Sequence, residues 1–256
     1  MAARFRFVWP PVLVAVVALG LWQFIVVRFD IKPYLLPAPS AIWQEFTRNI
    51  PAMWSAALYT ATNAFYGLVL GSLAGIIMAL IAQRFAFIRN LTLPLVVGLA
   101  AVPIVALTPI LNNMFNITSR TPRVLITMIV VFFPMFVNVM RGLVQVSPTQ
   151  IELMRSLSAK PITILRVVRI PNAIPFMFTG LRIAAPLAVI AALVSEYFGG
   201  PQEGLGSRIA SSAANSAYGR AWAYVVASIV TGLVFYFIAL GLERMTARWT
   251  GRPRSA

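Results

Sequence analysis

Residues Val146–Pro175 read VSPTQIELMRSLSAKPITILRVVRIPNAIP, the longest stretch of the chain that is too polar for lipid. Ser147 is a residue type that caps helix starts, Pro148 suits the first helical position, and Gln150 stands three residues after the cap. The pattern predicts a capping box and a helix that begins at Pro148.

This helix is expected to run from Pro148 to about Ala159, where Pro161 stops it and opens a second helix. Its apolar side chains recur at helical spacing, so the helix is amphipathic. They are Ile151, Leu153, Met154 and Leu157. Because so short a helix is not stable alone, we expect it to pack on another surface.

The rest of the chain has the composition of a membrane protein. Of its 256 residues, 60% are apolar and 11% are charged, and the mean hydropathy is +0.84. A soluble domain carries about 25% charged residues. The net charge of +15 does not indicate nucleic-acid binding, because the basic residues concentrate in short loops between apolar runs.

The missing residue types exclude several kinds of chemistry. Cysteine and histidine are absent, which excludes disulfides, thiolate nucleophiles, imidazole ligands and Ser-His catalysis. Six acidic residues in the whole chain argue against a carboxylate metal cage. We therefore expect no metal, no cofactor and no enzymatic activity.

Uncharged runs predict an all-α, polytopic membrane protein with six transmembrane helices in one domain, residues 1–256. About 20 apolar residues cross the lipid core. The first run is interpreted as a retained span, because a signal peptide would have a shorter apolar region and a small-residue cleavage site. The expected spans are 8–28, 56–82, 91–112, 123–143, 176–198 and 221–243, with the loop 146–175 between the fourth and fifth.

Basic residues favour one orientation. Most of them fall on the cytoplasmic side if both termini and the loop 146–175 are cytoplasmic. Arg123 and Arg141 flank the short fourth run and are expected to reach toward the lipid headgroups.

Glycines and prolines mark the second and third spans. Gly67, Gly71 and Gly75 recur at every fourth position, so another helix can approach that face closely. The alternative is that glycine is simply common in membrane helices. Pro103 and Pro109 interrupt the third span, and broken helices occur where they line protein or a wet cavity. These two prolines are therefore candidates for the wall of a translocation pathway.

The fifth span carries four further pathway candidates. Pro186, Ser195 and Glu196 would face a central cavity, and Arg182 would hold an anion. Arg182 lies near the inner end, and the alternative to an anion site is that it reaches the headgroups or caps a helix. The glycines of residues 199–206 form either the outer mouth of the pathway or an external turn without solute contact.

No energy source is visible in the sequence. It has no GxxxxGK[ST] phosphate loop, and its acidic residues lie in loops or near span ends. The pattern indicates a pathway without a motor, moved from the cytoplasm by another protein. An ion-coupled secondary transporter is the alternative.

Residues 152–171 resemble the E-A-A-x-x-x-G-x(9)-I-x-L-P motif of permease subunits in bacterial binding-protein-dependent ABC importers. Glu152 matches the acid, Val168 and Ile170 match the apolar pair, and Pro171 matches the proline. Ser158 stands in place of the glycine.

Other stretches in the same order resemble the nitrate, taurine and sulfonate branch of that family: LPAPSAIW, PIVALTPIL, VVFFPMFVNVMRGL and FTGLRIA. The resemblance implies the type I ABC importer permease fold, a homodimer, and a place in the bacterial inner (plasma) membrane. It also implies two kinds of partner, ATP-binding-cassette ATPase subunits and a periplasmic or lipoprotein solute-binding protein. The EYFGG stretch resembles members that carry pyrimidine-type vitamin precursors or related ring compounds, with sulfonates and nitrate as alternatives.

The resemblance assigns ATPase coupling to the cytoplasmic helix. Met154, Leu157 and Ser158 would be buried against the ATPase. Glu152 would stabilise the start of the helix through its interaction with the positive end of the helix dipole. The coupling residues are Glu152, Leu153, Met154, Arg155, Leu157, Ser158, Lys160 and Pro171, of which Arg155 and Lys160 would form the rim. The alternative is a surface helix packed only on its own permease.

Overall fold

The computed structural model describes residues 2–85 and 103–249, which form helices joined by short turns. The helices are α1 (Ala2–Arg28), α2 (Pro39–Arg48), α3 (Ile50–Arg84), α4 (Ile104–Phe115), α5 (Thr121–Val144), α6 (Pro148–Ser156), α7 (Pro161–Ile164), α8 (Ile170–Tyr197), α9 (Leu205–Ala214) and α10 (Tyr218–Trp249), with a π-helical segment, Leu165–Arg169, before α8. The predicted all-α class is confirmed.

Among the residues that the structure describes, four helical stretches are long and apolar enough to cross a membrane: Ile50–Arg84, Thr121–Val144, Pro161–Tyr197 and Tyr218–Thr246. Of two shorter apolar helices, Val12–Arg28 falls within the first predicted span, and Val105–Phe115 overlaps the end of the third and extends beyond it. Residues 91–102 of the third predicted span lie outside the described residues. The count of six spans therefore stays a prediction.

Helix α5 forms the centre of the bundle, because it packs on both α3 and α8, while α10 packs on α8. The core between these helices combines large side chains of α5 with small side chains of its neighbours. It includes Val131, Met135, Phe136 and Leu143 from α5, Ala64 and Ala79 from α3, and Ala184, Ala188 and Ala192 from α8. Small residues on α3 and α8 let the helix backbones approach closely. Such close packing stabilises helix pairs in a membrane, where the hydrophobic effect does not drive their association.

The glycines of α3 lie against α5. A Cβ at Gly67 would collide with Thr127, one at Gly71 would lie 2.6 Å from the Met128 carbonyl oxygen, and one at Gly75 would lie 2.9 Å from the Met135 Cβ. All three contacts are closer than a side chain allows. The glycine face predicted from the sequence is the surface that α5 occupies.

Helix α6 differs from its prediction in its N-terminal cap and in its last residue. It begins at Pro148, but the Ser147 side chain makes no capping hydrogen bond, so the predicted capping box is wrong. The helix ends at Ser156 rather than near Ala159.

The fifth crossing also differs from its predicted bounds of 176–198. Helix α8 begins at Ile170 and follows the π-helical segment without a break. Pro171 lies directly after the π-helical segment, in which the Ile170 N–H donates to the Leu165 carbonyl five residues back, so a local π turn carries the helix past this proline. The end of the predicted loop is consequently part of the crossing helix.

We call the end of the bundle that carries α6 the inner end and the opposite end the outer end. At the outer end α3 and α5 begin, α8 ends and α9 follows. A second apolar cluster joins α2, α3, α9 and α10 there and includes Ile42, Met53, Leu205 and Tyr224.

Candidate functional site

The inner end exposes apolar side chains on residues 148–169, which we call the inner segment. Leu153 and Leu157 are 59% and 69% exposed, and no residue of α6 is fully buried. Ile162 and Val167 are also at least half exposed. Single exposed apolar residues are ordinary, but several on one short polar-flanked segment mark an interaction site.

The opposite side of α6 is partly covered by the chain itself. Ile151 and Met154 are half-buried. Met154 was expected at the surface of the partner, whereas the structure covers part of its side chain within this subunit. Ile151 and Met154 are therefore more covered than Leu153 and Leu157, which stay open.

Ser158 explains the glycine of the family motif. Its φ angle is +55°, in the left-handed region that glycine adopts without cost. The Ser158 N–H donates to the Arg155 carbonyl, and the Ala159 N–H donates to the Met154 carbonyl, 2.9 and 3.0 Å away. This is the hydrogen-bond pattern of a Schellman motif with Ser158 at its left-handed position. The position therefore requires a backbone conformation in addition to a small side chain.

Glu152 does not fulfil its predicted electrostatic role. The first turn of α6 contains no acidic residue, and Glu152 comes after it. Because the helix dipole acts over the first and last turns, the prediction that Glu152 stabilises the helix start is wrong. Glu152, Arg155 and Lys160 are all exposed, and none forms an ion pair among the described residues. They are open to charged groups of another protein.

Hydrogen bonds tie the two ends of the loop together. Asn172 donates through Nδ2 to the carbonyl oxygens of Gly142 and Gln145, at 2.7 and 2.9 Å, and Arg169 donates to the Leu143 carbonyl at 3.1 Å. These carbonyls belong to the end of α5, where helical partners are missing. The inner segment thus rises from a base that joins α5 to α8.

Sequence analysis missed Arg169 and Asn172. The signal that was available is the end of α5, whose last carbonyls need donors from elsewhere in the chain. Nothing in the spacing identifies which later residues supply them.

Glu196 lies in a buried polar cluster at the outer end. It is 1% exposed, and its carboxylate accepts hydrogen bonds from Thr60 Oγ1 at 2.7 Å, Asn63 Nδ2 at 3.0 Å and the Gly206 N–H at 3.2 Å. Thr60 also accepts the Leu205 N–H at 2.9 Å. The carboxylate therefore joins α3, α8 and α9.

Two glycines make room for this carboxylate. A Cβ at Gly204 would collide with the Glu196 carboxylate, and one at Gly206 would collide with the Leu193 carbonyl. Ser195 is fully buried beside Glu196, and its hydroxyl has no partner among the described residues. Both side chains were expected to face a translocation cavity, but the structure encloses them between helices of this subunit.

Arg123 is a second buried charged group, and sequence analysis placed it wrongly. It was expected to reach toward headgroups, but it is 0% exposed. Its guanidinium donates to the carbonyls of Ser119, Ile117 and Gly199, the last two at 3.1 and 2.9 Å. These carbonyls hold the charge inside the protein and fasten the start of α5 to the turn after α8.

Arg182 is paired rather than open to a solute. Its guanidinium lies 3.0 Å from the Glu243 carboxylate, which also accepts a 2.7 Å hydrogen bond from Thr179. The pair connects α8 to α10 near the inner end. An anion site, a headgroup contact and a helix cap were considered for Arg182 from the sequence, and an ion pair with Glu243 was not among them.

The three candidate prolines have different surroundings. Pro103 and Pro109 are exposed, the first before α4 and the second within it. Pro186 lies inside α8 and borders an apolar cavity of about 540 Å³ between α8 and α10. The structure does not bring these prolines together with Glu196 into one site.

Metal binding finds no candidate in this part of the chain. Within residues 2–85 and 103–249, no three Asp, Glu, His or Cys side chains cluster closely enough to hold an ion.

The chain is similar to one family of membrane transport proteins and to individual permeases. The family model described as "Binding-protein-dependent transport system inner membrane component" matches residues 71–249. A probable ABC transporter permease protein of Haemophilus influenzae is 28% identical over 89% of this chain and 92% of its own length. The formylaminopyrimidine transport permease protein ThiX of Halalkalibacterium halodurans is 32% identical over 77% of this chain and 78% of its own.

Solved structures show the same fold. A crystal structure of an amino acid ABC transporter with histidines superposes with a TM-score of 0.64 at 19% identity, covering 78% of this chain and 96% of the other. An inward-facing form of the MetNI methionine ABC transporter gives a TM-score of 0.58 at 17% identity, covering 79% and 96%.

Proposed function

The chain belongs to the family of binding-protein-dependent transport system inner membrane components, and from this premise we propose that its inner segment couples transport to a separate ATPase. It is a multi-pass inner-membrane permease subunit of an ABC importer and not an enzyme. Its family works with ATPase and solute-binding partners. The ion-coupled secondary transporter is thereby set aside.

The coupling proposal rests on Leu153 and Leu157. A short segment that exposes two leucines between charged residues has the character of a docking element for a partner groove. Glu152, Arg155 and Lys160 surround the leucines with open charges that fix the orientation of the partner.

Transmission follows from the base of the inner segment. When the ATPase subunits close, they displace α6. Because Asn172 and Arg169 fasten the base to the end of α5, that displacement reaches both α5 and α8. Helix α3 packs on α5 and α10 packs on α8, so the core moves as tilting helices and exposes the pathway alternately to each side.

A second copy of the chain completes the pathway in this proposal. Exposed Ile183 and Ile190 on α8, which are 44% and 56% exposed, supply apolar surface for it or for lipid. Both termini and the inner segment lie in the cytoplasm, and the solute-binding protein delivers solute to the outer end. The pyrimidine-type solute expected from EYFGG stays a prediction, supported by the relative named for formylaminopyrimidine transport.

Cross-linking tests the docking proposal. The chain has no cysteine, so Leu157→Cys supplies a single thiol on this subunit. A bifunctional reagent with one thiol-reactive and one photoreactive arm is expected to join it to the ATPase. Leu35→Cys is the matched control, because Leu35 is also 69% exposed but lies before α2 at the outer end. Equal cross-linking from both positions, or none from position 157 in an active complex, rejects docking there.

A further inference from the structure

A polar cavity of about 400 Å³ opens at the outer end. It is bordered by the first part of α3, by Arg120 before α5 and by residues around the start of α9. Its polar and aromatic lining consists of Ser55, Tyr59, Thr62, Arg120, Glu203 and Arg208. Sequence analysis assigned no role to any of them. Small-molecule sites in proteins measure about 300–1,000 Å³, so the cavity has the size for a small solute.

Two other cavities formed by the described residues differ in character. One of about 250 Å³ between α3 and α10 and one of about 540 Å³ between α8 and α10 are lined almost entirely by apolar side chains. Lipid tails or a second subunit would fill such spaces. The cavity at the outer end presents charged and hydroxyl groups instead.

The charges of this cavity are not neutralised within the subunit. In the part of the chain that the structure describes, the ion pairs are Lys32–Asp30, Arg182–Glu243 and Arg220–Glu45. Arg120 and Arg208 therefore have no carboxylate within ion-pair distance, and with Glu203 they leave the lining with one excess positive charge.

Tyr59 holds one of these guanidinium groups in place. The Arg120 Cζ lies 4.5 Å from the Tyr59 ring centroid, and the ring is only 8% exposed. A ring fixed in the wall orients the planar guanidinium by a cation–π contact while its N–H groups remain available. Guanidinium groups bind carboxylate, sulfonate and phosphate oxygens through paired, charge-assisted hydrogen bonds.

We propose that this cavity is an outer binding site for a small solute with one oxyanion group. Arg120 and Arg208 hold the oxyanion, and Glu203 accepts a hydrogen bond from a donor or ammonium group elsewhere on the solute. The site holds solute at the start of the pathway after its release by the binding protein. This inference rests on the proposed transport function and names a substrate class for it. An oxyanion solute differs from the neutral pyrimidine-type compound expected from EYFGG and favours the sulfonate and nitrate alternatives.

The site is tested on the permease–ATPase complex in nanodiscs, without nucleotide and without binding protein. Ser55→Cys places a single thiol in the cavity, at a position that is exposed and carries no structural hydrogen bond among the described contacts. Labelling by a neutral maleimide is followed with increasing taurine, methanesulfonate or inorganic phosphate. At least one of these oxyanions is expected to slow labelling at saturable concentrations, and neutral thymine is not.

Two arginine variants separate this site from general surface charge. Because Arg208→Gln removes charge-assisted hydrogen bonds, it should weaken protection by about 10- to 150-fold. Arg220→Gln is the control, since Arg220 is also an exposed arginine at the outer end but pairs with Glu45 at 3.4 Å and does not line the cavity. It should leave protection unchanged.

Three results overturn the inference: no oxyanion protects, thymine protects equally well, or Arg208→Gln and Arg220→Gln have the same effect. Coupling is measured separately, as stimulation of ATPase activity by the permease. If coupling is intact while protection is absent, the outer site is wrong and the proposed function stands. If coupling is absent, the proposed function fails independently of the labelling result.

Discussion

Removing the two exposed leucines of α6 should weaken ATPase binding by a calculable amount. Complete burial of a leucine side chain contributes about 1.5–3 kcal/mol. Leu157 is 69% exposed and Leu153 is 59% exposed in the isolated subunit, so most of that contribution is still available to a partner. If the ATPase groove buries them fully, each leucine supplies about 1–2 kcal/mol of binding free energy.

The Leu153→Ala/Leu157→Ala variant should therefore raise the Kd of the ATPase subunit by about 25- to 700-fold, since about 1.4 kcal/mol corresponds to a tenfold change. The Kd is measured by biolayer interferometry with the permease in nanodiscs. Leu35→Ala, which removes an equally exposed leucine from the outer end, should change the Kd less than twofold by the same arithmetic. A double variant that binds like Leu35→Ala refutes the docking surface.

Three further predictions concern the helices and their contacts. Ser158→Gly should retain ATPase coupling and stabilise the end of α6. Ser158→Val should destabilise it by about 1–2 kcal/mol, because a branched side chain resists positive φ. Hydrogen exchange of the α6 amides measures both effects, and equal protection in the two variants contradicts the Schellman geometry. Gly71→Leu should lower the Tm of the permease, since overpacking costs about 1–3 kcal/mol, while Gly232→Leu, with nothing within 4 Å of its Cβ, should not; similar Tm values would remove the α3–α5 contact from the account. Glu196→Gln places an amide N–H₂ among three hydrogen-bond donors and should lower the free energy of unfolding by about 1–3 kcal/mol. The loss is measured as a lower Tm, with Glu203→Gln at an exposed position as the control. An unchanged Tm would show that the buried cluster contributes no stability.

Local patterns predicted the parts of the fold that depend on neighbouring residues. Long uncharged runs anticipated the crossings α3, α5, α8 and α10, because hydropathy alone decides which segments enter lipid. Pro148 marked the start of α6, since proline favours the first helical turn. The spacing of Gly67, Gly71 and Gly75 identified a packing face without naming the helix that occupies it.

Contacts between distant residues were not predictable in this way. Glu196 was interpreted as a pathway residue because its partners, Thr60 and Asn63, are 136 and 133 positions away. Arg123 was placed at the headgroups because a buried arginine requires several carbonyl partners, one of which belongs to Gly199. In both cases a charge near a span end has two physical solutions, and only the fold decides between them.

The departure of Ser158 from the family glycine was informative in a different way. The size of its side chain suggested close docking, whereas its positive φ shows that the backbone sets the requirement. A glycine in a motif at the end of a short helix is itself a sign of a left-handed residue. That signal came from the motif that the chain resembles, because position 158 of this chain is serine.

Reconstituted transport tests the central claim most directly. The permease is placed in sealed proteoliposomes, with or without its ATPase subunits and ATP, and the solute is supplied with its binding protein. The account predicts accumulation against a concentration gradient only when the ATPase and ATP are present, and loss of that accumulation with Leu153→Ala/Leu157→Ala. Accumulation by the permease alone, abolished by an uncoupler, would contradict it.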